Sequence, residues 1–522
     1  MFVRRPYSKA TRRQVIAGVA ASFAHAVTSR HALSLPGDFE SDPFSLGVAS
    51  GDPSHNSIVL WTRLAPNPLE ADGGLSLPNI PVEWVVASDE KMGQIVSRGS
   101  ITARRESGYS LHVPVEGLRP RRHYWYQFRT KGYISPIGRS KTLPDPSDPI
   151  NQFKIAVGGC QKISDGFYTA WADLAKTDLD LVFHYGDYIY EHGIASAVIS
   201  ARLGRELPDQ GPKRLRSLDD YRRRYALYKL DADLSAAHAM HPFIATFDDH
   251  EVVNNWSGGD PRYSRLSKAA LQAFFENMPV HPKRMSGGGI IMYRDFRIGD
   301  LIHFPVLDTR QYRSPQACGL KGIRARCDER RDPSRTMLGA EQERWVDQII
   351  VESDTTWTVL GSQVMMMQER FESSQQHDAP VDNDSAITGT DKWDGYSAAR
   401  SRLLERCANR GKNGVIVLSG DRHVSMAGNL TLDFDDPRSP VVGVELVATS
   451  ISSGRNGRAG GRQIRRLNPH MKFVDRRRGS LICTFEHRSL EAEFRATDIV
   501  DKPGFPVRAI KTIRIDPRHI SL

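Results

Sequence analysis

Cysteine is scarce in this sequence, five in 522 residues, which excludes a disulfide framework as the source of its stability. No apolar run is long enough to cross a bilayer, so no integral membrane segment is expected. Internal repeats and low-complexity tracts are also missing, and repeat architectures drop out with them. Charge is less one-sided than the total suggests. The formal net charge is +10, but residues 1–31 hold Arg4, Arg5, Lys9, Arg12, Arg13 and Arg30 and no acid; removing those six leaves +4. That remainder is too mild to call for nucleic acid, and no nucleic-acid-specific binding is expected. What the chain does have is 39% hydrophobic and 25% charged residues. This is enough for a buried core in one large domain plus a smaller one, or in three ordinary ones.

The basic N-terminus has a pattern of its own. Thr11-Arg12-Arg13-Gln14-Val15-Ile16-Ala17 is a twin-arginine motif, followed by a weakly apolar run from Val15 to Val27. The expectation is a signal peptide over 1–31, removed near Ala32 and read by the twin-arginine export machinery. The mature protein is then periplasmic or secreted. Export of an already folded chain suits one that must acquire its metal first. Cys318 and Cys327, in a polar, Arg-rich loop, can pair after export, whereas Cys407 and Cys483 read as buried thiols.

From 44 to 143 the pattern is short strands separated by turns, and Gly117-Leu118-Arg119-Pro120 followed by Tyr124 and Tyr126 resembles the corner of a fibronectin-like β-sandwich. Three prolines between Lys141 and Asn151 mark a linker. From 152 to 515, apolar strands ending in Gly or Asp alternate with helical stretches. The fold class is therefore α/β, with a small sandwich before it. Arg202 to Met240 is Arg-rich and helical, and is expected as an exposed excursion over the core.

Four of those strand ends carry metal-capable side chains: Cys160 after FKIAVGG, Asp187 and Tyr190 after LVFHYG, Asp248-Asp249-His250-Glu251, and Asp421 with His423. Neighbouring parallel strands lie about 5 Å apart, so their ends form a cluster. Each group alone reads as ordinary: a buried thiol, a helix cap, a turn. Four in matching positions point instead to two cations sharing a carboxylate, the usual clamp for in-line attack on phosphorus. Asp187 can bridge them, and the Tyr190 phenolate is a hard anionic donor suited to Fe3+.

Together these motifs resemble the PhoD-like alkaline phosphatase (alkaline phosphatase D) family. The resemblance rests on the twin-arginine signal, GVASGDP (47–53), GDYIYE (186–191), DDHEVVNNW (248–256), LDTRQYR (307–313), GDRHVS (420–425) and the Asn468–Phe473 segment, in order over nearly the whole mature chain. It implies a two-sheet metallophosphatase core flanked by helices, and an Fe3+/Ca2+ centre that hydrolyses phosphate esters by in-line attack of a metal-bound hydroxide. By the same resemblance Cys160, Asp187, Tyr190 and His423 hold the iron, and Asp187, Asp249 and Asp421 the Ca2+. The GDxxY pattern is similar to that of purple acid phosphatases. One position departs from the family pattern, Gly159 where Ser is expected. His250 is placed to contact the phosphate or protonate the leaving alkoxide. Arg310 offers phosphate a bidentate fork or pairs structurally with Asp308. Asn254 donates to a phosphate oxygen or caps a helix, and the basic stretch from Arg455 to Arg478 forms one wall of the cleft or a solvated face. Two other readings compete: a phospholipase D-like phosphodiesterase, and a non-catalytic surface binder of anionic polymers. A pure binder has no use for ligands at every strand end.

Overall fold

The strand Leu181–His184 shows how the sequence dictates the layers. Successive side chains of a strand point to opposite faces. Leu181 and Phe183 enter one core cluster and Val182 another. The neighbouring strand Gln152–Gly158 repeats the division, with Ile155 and Val157 on one side and Ala156 on the other. A strand buried on both faces must be covered on both.

The computed structural model describes residues 39–522, apart from 209–212, 287–288, 320–322, 325–326, 372–386 and 410–413. The signal expected at 1–31 lies outside the described residues. Two large sheets, of nine and seven strands, dominate. In the first, Gln152–Gly158, Leu181–His184 and Pro242–Ala245 run parallel, in the register Leu181↔Ile155 and Val182↔Phe243. In the second, Ile302–Val306, Trp357–Val364, Val415–Gly420 and Val441–Val447 run parallel. The sheets pack face to face through Phe183, Ile244, Phe304, Val359, Ile416 and Leu418. Phe183 and Phe304 meet edge to face across the interface, ring centres 5.4 Å apart.

Helices cover the two outer faces. Thr169–Ala175, Leu218–Lys229, Ala232–Met240 and Ser264–Asn277 pack on the first sheet through Trp171, Tyr225, Ala237 and Phe274. Gly339–Glu352 and Ser397–Ala408 pack on the second through Val346, Ile350, Leu403 and Leu404. The order is helix, sheet, sheet, helix. The mixed α/β core expected from the sequence is what folds.

Two expectations change. Within the stretch 202–240, the helices Leu218–Lys229 and Ala232–Met240 are not an exposed excursion, because Tyr221, Tyr225 and Arg224 are fully buried. Its arginines find distant partners: Arg224 donates to the carbonyls of Tyr190 and His192, and Arg222 forks onto Glu276 at 2.6 and 2.7 Å. The N-terminal strands are not separate from the core either. Val48–Gly51, Ile58–Arg63 and Ser110–Val115 extend the nine-stranded sheet, because Ser50 pairs parallel with Pro242. A five-stranded sheet holding Asn79–Ala87, Ile95–Arg104 and His123–Thr130 completes this part. The Tyr124 hydroxyl turns back there to accept from the Arg119 N–H at 2.9 Å, the corner contact its spacing predicts.

Candidate metal centre

Every cluster expected from the sequence meets at one place, the C-terminal ends of the parallel strands. Open α/β sheets offer their crevice there. Cys160 follows Gln152–Gly158, Asp187 follows Leu181–His184, Asp248 to His250 follow Pro242–Ala245, and Asp421 and His423 arrive from Val415–Gly420 of the second sheet. The backbone bends sharply to aim them. Cys160, Asp187, Asp421 and His423 all hold left-handed φ of 50°, 55°, 65° and 57°. Such angles strain a non-glycine residue, and they concentrate at functional sites. Gly186 is required where it stands: a Cβ there would lie 2.5 Å from Asp248.

Asp187 is the hub. Its Oδ2 accepts from the Tyr190 hydroxyl at 2.8 Å and the Cys160 thiol at 3.3 Å, while Oδ1 accepts from the His250 N–H at 3.3 Å. The Tyr190 oxygen also lies 3.4 Å from His423 Nε2 and accepts from Ser453 at 2.7 Å. Of the four donor groups that result among the described residues, each with its ligand atoms within 4.8 Å of one another, two are free of His250: Cys160, Asp187 and His423, and Asp187, Asp248, Asp249 and Asp421. Asp187 belongs to both.

The electrostatics of the two sets differ. Burial, then the nearby Asp187, push the Cys160 thiol and the Tyr190 hydroxyl well above their ordinary values. Burial, then Arg478, hold His423 down at about 3, so its imidazole is neutral. In the second set burial raises Asp187 and Asp421, and neighbouring carboxylates raise them further. Burial also pulls Asp249 upward, but Arg310, His250, the Asn255 N–H and Arg313 together outweigh it and keep that residue ionised. Asp248 Oδ2 and Asp249 Oδ1 are buried with no hydrogen-bond partner among the described residues. Orphaned anionic oxygens are expensive unless a cation meets them. The residues therefore fit two metal ions: one at a sulfur, nitrogen and oxygen set, one at an all-oxygen set.

Arg310 is fully buried, and its guanidinium is committed to Asp248 and, at 2.9 Å, to Asp391. Nη2 faces Asp249 at 3.5 Å and Asp421 at 3.7 Å. Asp308, its expected ion-pair partner, accepts instead from the Arg310 backbone N–H at 3.1 Å. Protein carboxylates thus take Nε and Nη1 of the fork expected for phosphate, while Nη2 has no hydrogen-bond partner among the described residues. His250 Nδ1 pairs with Glu191 at 2.7 Å. Burial lowers its affinity for a proton, but Asp187, Asp249 and Glu191 reverse this and lift it to about 10. Asn254 is exposed at the cleft, its backbone N–H on Glu191 at 3.2 Å. Arg478, expected at a cleft wall, instead donates to the carbonyls of His423, Gly454 and Arg455.

Sequence reasoning missed three contributors. Asp248, placed in the metal-capable run but given no ligand role, stands among the all-oxygen donors. Glu251 takes the N–H groups of Asp187, Tyr188 and Asp248, tying two ligand loops together. Asp391 links Arg310 to Arg313. Glu251 adjoins an expected ligand, but its backbone partners are invisible in sequence.

Two face-to-face sheets with metal-capable groups at their C-terminal edge define a metallophosphatase-type protein. The fold is shared with the purple acid phosphatase PPD1 of yellow lupin, at a TM-score of 0.54 and 14% identity over 90% of this chain and 73% of that one. More narrowly, the chain belongs to the PhoD-like phosphatase family. The family's phosphatase model matches residues 155–494, and its N-terminal domain model residues 29–144. Alkaline phosphatase D of Bacillus subtilis (strain 168) is 41% identical over 478 residues, covering 90% of this chain and 80% of that protein. A solved PhoD structure superposes at a TM-score of 0.86 with 40% identity, over 93% of this chain and 92% of that one. The chain is accordingly a homologue of a phosphoric ester hydrolase. Among the described residues, no helix is long and apolar enough to cross a membrane.

Proposed function

We propose that the chain hydrolyses phosphate esters at an Fe3+/Ca2+ centre. The observation that carries this reading is the single carboxylate, Asp187, placed in two donor sets of different chemistry. Cys160, Tyr190 and His423 would hold the iron, since thiolate, phenolate and imidazole together suit a Lewis-acidic transition metal. Asp249 and Asp421, with Asp248 added, would hold Ca2+ through hard oxygens. Bound there, the ions would neutralise phosphate oxygens and supply a nucleophile at neutral pH. The chain does the rest. Glu191 fixes the His250 ring through Nδ1, leaving Nε2 to contact the phosphate or give a proton to the departing alkoxide. Asn254 stands at the cleft to donate to a phosphate oxygen. Arg310 holds the carboxylates of the calcium set in place.

The mature enzyme is read as an exported protein, with its twin-arginine signal over 1–31. The disulfide between Cys318 and Cys327 supports an oxidising compartment. The domains are read as 44–143 and 152–515, with Val48–Gly51, Ile58–Arg63 and Ser110–Val115 of the first joined to the nine-stranded sheet of the second; the five-stranded sheet and the Tyr124 corner support a fibronectin-like character for the first.

Elemental analysis of purified protein, beside turnover of mono- and diester substrates, tests the centre. About one iron per chain, calcium required for turnover, and activity abolished by chelation are expected. A zinc-only, calcium-indifferent enzyme would defeat it. Export is tested by Arg12→Lys with Arg13→Lys, which should leave unprocessed precursor in the cytoplasm; normal processing rejects the twin-arginine route.

A further inference from the structure

We propose that Arg422, rather than Arg310, is the arginine that grips the phosphoryl group of the substrate. The inference rests on the phosphatase reading of the site. A cleft of about 340 Å³ opens over the donor sets, lined by Asp187, Asp249, His250, Asn254, Asp421 and His423 on the metal side and by Phe371, Lys392 and Arg422 on the other. Arg310 is 0% exposed, holds carboxylates through Nε and Nη1, and does not line this cleft; the Arg422 side chain is 30% exposed and faces it.

The backbone explains why Arg422 is there. Asp421 and His423 flank it in left-handed conformation and join the donor sets, while the residue between them turns to the opposite wall. That wall holds the guanidinium rigidly. Nε and Nη2 fork onto Glu369 at 2.7 and 2.8 Å, and the Phe371 ring centre lies 5.4 Å from the guanidinium carbon. Lys392 pairs with the same carboxylate. One buried acid thus faces two cations, and the wall keeps one positive charge.

The side-on fork consumes Nε and Nη2 and leaves Nη1. Neither of its N–H groups has a protein partner among the described residues. A guanidinium locked by a carboxylate and a ring, with one nitrogen free beside metal ligands, is pre-organised for a phosphate oxygen. Glu369 acts through Arg422 and is a positioning residue. The ligand is the phosphoryl group undergoing transfer, and inorganic phosphate after the reaction.

The test uses metal-loaded full-length protein. Inorganic phosphate binding is measured by calorimetry, p-nitrophenyl phosphate turnover by absorbance, and metal per chain by elemental analysis. Arg422→Met should weaken phosphate binding and raise KM by about 10- to 100-fold, as for a lost charge-assisted hydrogen bond. Metal content should hold. Arg422→Lys should recover part of the binding, because it restores charge without the fork. Glu369→Gln, outside the metal loop, should weaken phosphate binding in the same direction by a smaller factor. If wild type binds phosphate and turns over while Arg422→Met binds phosphate as tightly, this inference alone fails. Lost metal in Arg422→Met together with unchanged phosphate binding in Glu369→Gln also overturns it, since Arg422 would then only prop the loop. If wild type itself neither binds phosphate nor turns over, the phosphatase reading fails first.

Discussion

The two halves of the candidate centre solve one problem in opposite ways. Both bury polar groups of metal-ligand type, and buried charge is costly. On the side of Cys160, Tyr190 and His423, burial keeps the thiol and phenol protonated and the imidazole uncharged. These groups satisfy one another through short contacts and Ser453. On the side of Asp248, Asp249 and Asp421, carboxylates crowd together, and the chain supplies its own counter-charge in Arg310. The first half can rest without metal. The second holds an internal cation, Arg310, which is fully buried and does not line the cleft.

Asp187 is common to both halves, so its loss should erase the difference. Asp187→Asn is predicted to release both metals and to lower turnover by about a thousandfold or more, the scale of several kcal/mol of lost charge stabilisation. Metal content and kcat measured on one preparation check it. Retention of either metal at full stoichiometry would show that the halves do not share this residue.

Arg310→Met should separate the halves. In chelated protein it strands Asp248 as a buried, unpaired acid, and a cost of about 3–5 kcal/mol is predicted. Denaturant unfolding with and without calcium reads it. Calcium should recover part of the loss, because a cation re-enters the carboxylate set. An equal loss in both conditions would make Arg310 a general scaffold residue.

Cys160→Ser probes the neutral half more gently. It keeps a donor of smaller size and higher pKa. Iron retention should weaken and turnover fall by about tenfold or more, in the range seen when groups supporting a metal site are altered. Full iron occupancy with only a lowered melting point would mean that Cys160 is an inert thiol.

Much of this arrangement is legible in sequence, for a physical reason. An apolar run ending in Gly or Asp marks a strand end, and parallel strands gather their ends together. Cys160, Asp187, Tyr190, Asp249, Asp421 and His423 could thus be placed at one edge before any coordinates. Pairings between distant segments could not be read. Arg310 meets Asp248 and Asp391, Arg222 meets Glu276, and Ser50 meets Pro242 across long stretches of chain. An arginine looks the same in sequence whether it is solvated, neutralising a buried acid or facing substrate. For the same reason the Arg-rich stretch 202–240 read as exposed, although Arg222 and Arg224 bury against carbonyls and a carboxylate.

Tyr190→Phe is the smallest change that tells the halves apart. The substitution removes one hydroxyl that donates to Asp187 Oδ2 and accepts from Ser453. In the metal-free chain both partners lose a hydrogen bond, so a cost of about 1 kcal/mol is predicted. That is well below the figure for Arg310→Met, because no charge is stranded. In the loaded protein the consequence is spectroscopic. A phenolate on ferric iron gives a visible charge-transfer band, and that band should vanish while Cys160, Asp187 and His423 still retain iron. The absorption spectrum and iron content of wild type and variant, taken together, check the point. A colourless wild type with full iron would place Tyr190 beside the metal without binding it. The neutral half would then owe its cohesion to hydrogen bonds alone.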